Sequence, residues 1–269
     1  MLTMQPALAE YDIILINTSA GKDSQAMLDY VYALALQAGV TDRLVAVHCD
    51  LGRMEWAGTK ELAIEQCSHY GVRLEIVSRP QGDLLTHVEQ RGMWPSNTAR
   101  FCTSDHKRGQ VYRVMTKLAE EFRKAHGRQA RILNCMGIRS EESHARAKRV
   151  PFTFDAKASN GRRHVDTWLP IFTWTVEQVW ERIHTSGVRY HHAYTLGMPR
   201  LSCVFCIFAP EAALIIAGHH NRALLSEYVR VQESTGHKFR VDTDLVQIAA
   251  AVDAGVTPTT SHIVWKQCA

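Results

Sequence analysis

The types most able to do chemistry come early in the chain, where the small residues Ser19, Ala20 and Gly21 are followed by Lys22, Asp23 and Ser24. Small residues between a strand and a helix let backbone N–H groups turn towards an anion, and the helix adds the positive end of its dipole. Phosphate is the natural guest: Lys22 adds a point charge, and the hydroxyls of Ser19 and Ser24 can donate to phosphate oxygens. The loop is not a Walker A sequence, because that pattern needs Gly-Lys followed by Ser or Thr, and here Asp23 follows Lys22. An ordinary glycine-containing turn is the plain alternative, and the strand before the loop and the helix after it argue against that.

A second group lies far along the chain. Cys203 and Cys206 form LSCVFC, a CxxC pair whose spacing lets both sulfurs face one metal or cluster, and Cys102 in RFCTSDHK is the candidate third ligand. Three cysteines leave the set short of the four that a fully cysteine-ligated cluster needs. They would leave one iron open to an external sulfur, or form a Cys3His zinc site with His106, His191 or His192, or relay a persulfide through Cys102. Two cysteines packing a loop is the bland alternative. Cys49, Cys67 and Cys135 sit in apolar strand or helix patterns and read as core, while Cys268 reads as a mobile terminal thiol.

These residues need elements to position them. Residues 12–18 are a short apolar, β-branched run and residues 24–37 a helical pattern, so the phosphate loop joins strand to helix. The cycle repeats with a strand at 44–49, a loop through Gly52, a helix at 59–70 and a strand at 73–77. A helix at 107–126 leads through Gly127 to a strand at 131–138. Such alternation predicts a parallel sheet with helices on both faces, whose loops at Ser19, Asp50 and Gly137 meet at the carboxyl ends of the strands. After Pro151 the chain turns polar and turn-rich over 152–163, then extended through VDTWLPIF, then helical through TVEQVWERIHTSG to a cap at Gly187. Helical segments at 211–218, 221–235 and 243–254 complete a mostly helical C-terminal region. The predicted division is 1–175 for the α/β domain and 176–269 for the helical region carrying the CxxC loop.

Size and charge bound the rest. The 269 residues suffice for a full core, and 46% apolar and 22% charged residues give no sign of disorder. No apolar run is long enough to span a membrane, and the first ten residues lack the basic start of a secretory signal. The seven scattered cysteines favour a reducing compartment over a disulfide framework, so a cytoplasmic location is expected. The net charge of +4 decides little, whereas Arg139, Arg146, Lys148, Arg149, Arg162 and Arg163 concentrate positive charge in one stretch that suits phosphates, nucleic acid or solvent. Trp168, Trp174 and Trp180 read first as core packing rather than as platforms for bases.

Four stretches together resemble a known family. They are SAGKDS at 19–24, HCDLGRMEW at 48–56, RFCTSDHKRGQV at 100–111 and MGIRSEESHARAK at 136–148. The loop resembles the pyrophosphate-loop ATP pyrophosphatase superfamily, and the four stretches resemble its phosphoadenosine phosphosulfate reductase-like branch, which includes the ATP pyrophosphatases of DNA phosphorothioation. The resemblance implies a Rossmann-like α/β fold of the adenine nucleotide α-hydrolase kind, binding ATP with Mg2+ and cleaving it at the α-phosphate. Carried over residue by residue, it implies Lys22, Asp23 and Arg139 in catalysis. It implies nucleotide contacts from Ser19, Ala20, Gly21, Lys22, Asp23, Ser24, Asp50, Gly52, Gly137, Arg139 and Arg146, and a [4Fe-4S] cluster or zinc at Cys102, Cys203 and Cys206.

The function so implied is ATP cleavage to AMP and pyrophosphate, activating a substrate for sulfur. A cysteine desulfurase would be the sulfur donor, and DNA or another nucleic acid would be reached through a modification complex. Two alternatives stay open. A sulfonucleotide reductase would use a C-terminal Glu-Cys-Gly thiol, a pattern this sequence lacks, and a non-catalytic nucleotide-binding subunit would keep the loop without the chemistry.

Overall fold

The computed structural model describes residues 5–259. Its strands are β1 (Ile13–Thr18), β2 (Leu44–Cys49), β3 (Arg73–Val77), β4 (Ala130–Met136), β5 (Phe152–Phe154) and β6 (Arg163–Trp168). They form one sheet in the order β3-β2-β1-β4-β6-β5. All neighbours run parallel except the edge pair β5 and β6, which is antiparallel. The crossovers and the C-terminal part supply α1 (Lys22–Gln37), α2 (Thr59–His69), α3 (Leu84–Arg91), α4 (Phe101–Thr103), α5 (Gly109–His126), α6 (His144–Ala147), α7 (Val176–Ser186), α8 (Glu211–His220), α9 (Arg222–Thr235) and α10 (Leu245–Asp253).

The residues of β1 explain why both faces are covered. Ile14 and Ile16 point into a core shared with Met27 and Val31 of α1 and Val179 and Ile183 of α7. Ile13 and Leu15 point to the opposite face, against Val111, Met115 and Leu118 of α5. A period of two along a strand that is apolar at both phases requires two helical layers. A third core joins α3, α8, α9 and α10 to Met54, Trp56, Phe101 and Phe205. The helical C-terminal part is thereby anchored beside the carboxyl ends of the strands, where Met54 follows β2.

Three sequence expectations are corrected, and one helix is added. The turn-rich stretch after Pro151 contains β5, a three-residue edge strand in register with β6 through Thr153 and Thr167. The helix α3 goes unread by hydrophobic period, although Asp83 caps it by accepting the Thr86 N–H at 2.9 Å. The strand expected to run to Ile138 ends at Met136. The helix expected from Lys107 starts earlier as α4 and passes through a π-helical stretch, Ser104–Arg108, in which the Gly109 N–H reaches back to the Ser104 carbonyl.

The segment after α7 is tied to the start of α2 by one imidazole. His191, 1% exposed, accepts the Ala193 N–H at Nδ1 (3.1 Å) and lies 3.2 Å from Thr59 Oγ1 at Nε2. The Thr59 hydroxyl already donates to the Trp56 carbonyl at 2.7 Å. Thr59 must therefore accept from Nε2–H, and the ring is neutral with its proton on Nε2. Burial first, then neighbouring His192, lowers its pKa from 6.5 to about 4. A base with a depressed folded pKa stabilises the fold fully above its unfolded value and loses that contribution as pH falls towards the folded one.

Stability should therefore decline between pH 6.5 and about 4, by on the order of 3 kcal/mol from this ring. His191→Asn, whose carboxamide can still accept the Ala193 N–H, should flatten that part of a melting-temperature profile; an unchanged slope would contradict the assignment.

Candidate active site

The loop between β1 and α1 is built by its own hydroxyls. Ser19 N–H donates to Ser24 Oγ (3.1 Å), Ser24 Oγ–H donates to the Gly21 carbonyl (2.9 Å), and Ala20 N–H donates to Thr18 Oγ1 (3.2 Å). Since the Ser24 proton is spent, the Ser19 hydroxyl 3.3 Å away is the donor of that pair. Ala20 alone among the described non-glycine residues has a positive φ, 55°, which turns the chain sharply into α1. The Asp23 and Ser24 N–H groups, in the first turn, have no intrahelical acceptor and carry the positive end of the dipole. Ser19 is exposed, while Gly21, Lys22 and Ser24 are buried.

Two further segments close on this loop. Gly137, just past β4, packs so tightly that a Cβ there would lie 3.0 Å from the Asp23 carbonyl oxygen and 3.2 Å from the Ser24 nitrogen, which is why glycine stands there. Beyond it, Arg139 is 4% exposed and donates from Nε to Asp23 Oδ1 at 2.6 Å and from Nη1 to Glu141. From the C-terminal part, the Tyr194 hydroxyl accepts the Lys22 N–H at 2.8 Å and the Leu201 N–H at 3.4 Å. Lys22 Nζ reaches Asp23 Oδ2 (3.2 Å) and the Pro199 carbonyl (3.4 Å), and it lies 5.8 Å from the Tyr194 ring centre. Trp180 of α7 holds that ring edge-on at 5.0 Å.

Charge at the site is nearly balanced. Burial pushes the Asp23 carboxyl up, and the Lys22 ammonium and Arg139 guanidinium overcome it and hold it below the ordinary aspartate value. Burial likewise disfavours the Arg139 charge, and Asp23 and Glu141 restore it. Glu142 gathers the remaining basic groups: it accepts the Arg139 N–H at 3.0 Å, pairs with Arg146 and lies 3.9 Å from Arg200.

The structure thus brings Ser19, Ala20, Gly21, Lys22, Asp23, Ser24, Gly137 and Arg139 together, with Arg146 joined through Glu142. Asp50 and Gly52 stand at the end of neighbouring β2, but Asp50 there accepts the Gly52 N–H (2.8 Å) and lies 3.5 Å from Lys60 Nζ, serving the turn. Tyr194 and Pro199 have no signal in the sequence, because their contacts with Lys22 span 172 and 177 residues, whereas Glu142 pairs with Arg139 and Arg146 at three and four residues' spacing.

The three cysteines lie on α4 and on the loop before α8. Cys102, Cys203 and Cys206 pack against the same apolar cluster. Lys107 of the π-helical stretch is exposed, and its pKa is raised because Cys203, Glu55, Cys102 and Cys206 outweigh the desolvation of its ammonium. Burial pushes the Cys203 thiol up to about 12 against the pull of Lys107, so a metal or cluster must displace that proton.

Among the described residues no three His, Cys, Asp or Glu side chains converge as closely as a single metal ion requires. His191 spends both ring nitrogens on Thr59 and Ala193, and His106 Nε2 lies 3.0 Å from His87 Nδ1. His191 therefore has no nitrogen left for zinc, and no Cys3His group converges among the described residues. A cluster, wider than one ion, is met better by three thiols, an ammonium and a buried hydroxyl, that of Tyr228, with no partner. For magnesium the carboxylates do not fit a protein-built cage: Asp23 is committed to Lys22 and Arg139, and Asp50 to Gly52 and Lys60. Cys268 lies outside the described residues. No helix among them is long and apolar enough to cross a membrane.

Comparison with known proteins adds the following. Residues 13–209 match the family model described as phosphoadenosine phosphosulfate reductase domain. The chain is 28% identical over 142 residues to the uncharacterized 37.8 kDa protein in the gpa 5'region of Escherichia phage 186, which covers 52% of this chain and only 40% of that relative's length. Among solved structures it is similar to the phosphoadenylyl-sulfate reductase of Candida auris in phosphate complex, at TM-score 0.48 and 16% identity over 73% of this chain and 84% of that one. It is also similar to the U34-tRNA thiolase NcsA of Methanococcus maripaludis with its [4Fe-4S] cluster, at TM-score 0.43 and 15% identity over 97% and 77% of the two chains.

The Asp23–Arg139 pair makes a direct prediction. Asp23→Ala leaves a buried guanidinium with half-exposed Glu141 as its one counter-charge and the Trp174 carbonyl at 3.4 Å, and urea denaturation should show a loss of about 3 kcal/mol. Replacing both partners, Asp23→Leu with Arg139→Met, should recover most of it. An unaltered midpoint in Asp23→Ala would mean that the pair does not hold the loop.

Proposed function

Because the chain belongs to the phosphoadenosine phosphosulfate reductase domain family, we propose that it is an ATP pyrophosphatase that activates a substrate oxygen for replacement by sulfur, in nucleic-acid thiolation or DNA phosphorothioation. The observation that carries this reading is the first turn of α1. There the Asp23 and Ser24 amides have no acceptor within the helix, the Lys22 ammonium is adjacent, and Ser19 is exposed at the carboxyl end of β1.

In this reading MgATP enters as the substrate and its β- and γ-phosphates rest on that turn. A substrate oxygen attacks the α-phosphorus, the bond to the β-phosphate oxygen breaks, and pyrophosphate leaves while AMP stays on the substrate. The amides and Lys22 meet the charge that grows on the leaving group; one well-placed donor of this kind is worth roughly 3 kcal/mol. Arg139 holds Asp23, and through it Lys22, in place. A persulfide sulfur, supplied in this proposal by a cysteine desulfurase through the cysteine loop, then attacks the substrate atom that bears the adenylylated oxygen. The bond from that atom to the oxygen breaks, AMP leaves carrying the oxygen, and an external thiol reductant cleaves the remaining S–S bond. A cluster held by Cys102, Cys203 and Cys206 supplies, when bound, one iron without a protein ligand to receive that sulfur. Lys107 balances negative charge beside it. The cytoplasm is the compartment proposed for this chemistry.

Pyrophosphate release from ATP tests the reading. Lys22→Ala should lower it by at least about 100-fold, and equal turnover in the variant would overturn the loop's role. Sulfite release from a sulfonucleotide, with no pyrophosphate from ATP, would establish the reductase reading, and ATP binding without turnover the non-catalytic one.

A further inference from the structure

Tyr228 stands in the middle of α9 with its ring 0% exposed and its hydroxyl without a hydrogen-bond partner. The ring is fixed by aromatic neighbours: Trp94 stacks on it at 5.2 Å and 23°, and Phe205 meets it at 5.0 Å and 63°. Trp94 brings a second buried donor, its indole N–H, that is also unpartnered. A buried hydroxyl left unpaired costs about 1–3 kcal/mol, whereas phenylalanine fills the same volume without that cost. The position therefore calls for an acceptor that the neighbouring side chains do not provide.

The acceptor's place follows from the packing. Phe205 lies within the CxxC loop, between Cys203 and Cys206, and both cysteines and Cys102 pack on the apolar cluster that contains Tyr228. The Tyr228 ring touches that loop through Phe205, and burial keeps its phenol protonated, well above the ordinary tyrosine value.

We infer that Tyr228 is a positioning residue of the cysteine site, its hydroxyl donating a hydrogen bond to sulfur held at Cys203 and Cys206. The inference rests on the reading that the three cysteines bind a sulfur-bearing group. A hydrogen bond of this kind draws electron density from the sulfur and raises the reduction potential of a cluster. In the metal-free chain the same hydroxyl contributes nothing to stability.

The test uses the full chain and Tyr228→Phe, each reconstituted without oxygen using ferrous iron and sulfide. Both should take up iron and sulfide equally. The variant should show a more negative midpoint potential, and its iron–sulfur vibrations should lose the deuterium sensitivity that the parent shows in D2O. Metal-free Tyr228→Phe should melt at the same temperature as the parent or higher. Equal potentials with equal deuterium responses would overturn the hydrogen bond while leaving the cysteine site intact. A lower melting temperature of the metal-free variant would overturn it too, by showing that a buried water or protein group is the hydroxyl's partner. Failure of the parent chain to take up iron and sulfide would remove the cysteine reading, and the inference with it.

Discussion

The buried ion pair between Asp23 and Arg139 is the interaction on which the site's shape depends. A guanidinium 4% exposed has few ways to remain charged, and a carboxylate 2.6 Å away is the one that costs least. That carboxylate also neighbours Lys22, so a single charge fixes both the loop after β1 and the loop after β4. The close approach of Gly137 to the Asp23 backbone is the steric half of the same constraint. With the two loops locked together, the first-turn amides of α1 keep their direction whether or not an anion is present, the preorganisation that electrostatic catalysis relies on.

Much of this frame is legible in the residues. Both β2 and β3 run between the residues expected, because short apolar runs bounded by turn residues have few other uses. The helix α7 was equally plain, since Thr175 and Gln178 form a capping box and Gly187 ends it in the left-handed region. What resisted reading depends on distant partners. The strand β5 is three residues long and exists because β6 offers it an edge. The helix α3 carries a clear cap at Asp83, but it is only eight residues long and follows the turn residues Pro80 and Gly82, which hide its period.

The site divides along the same line. Local chemistry announced Ser19 to Ser24 and the CxxC pair, because each function is carried by neighbours in sequence. Arginine at 139 was legible as a basic residue after a strand with Glu141 as a local partner, but not that Asp23 would engage its guanidinium, a pairing that spans 116 residues. Asp50 shows the converse. Its type suits a ribose or a metal, yet in the fold it bonds the Gly52 amide two residues on, a use that any Asp before such a turn can take. Lys107 and Tyr228 gain their meaning from the cysteine site, and no spacing within their own helices points there.

One continuous segment joins the two halves of the proposed chemistry. Tyr194 accepts the first amide of α1, Pro199 faces the Lys22 ammonium, Leu201 packs beside Gly21, and the cysteine loop begins two residues later. At the far end Val204 N–H donates to the Met54 carbonyl at 2.8 Å, which pins the loop to the chain leaving β2. The distance from phosphate loop to thiols is therefore set by a strap fastened at both ends rather than by a free hinge. His191 adds a third fastening to α2. In the proposed chemistry a nucleotide at Lys22 and a sulfur at Cys203 would in this way be held by the same stretch of backbone. Any displacement of Tyr194 from the loop must pass along residues 194–203 before it reaches the cysteines, and rigidity here serves the geometry of transfer better than flexibility would.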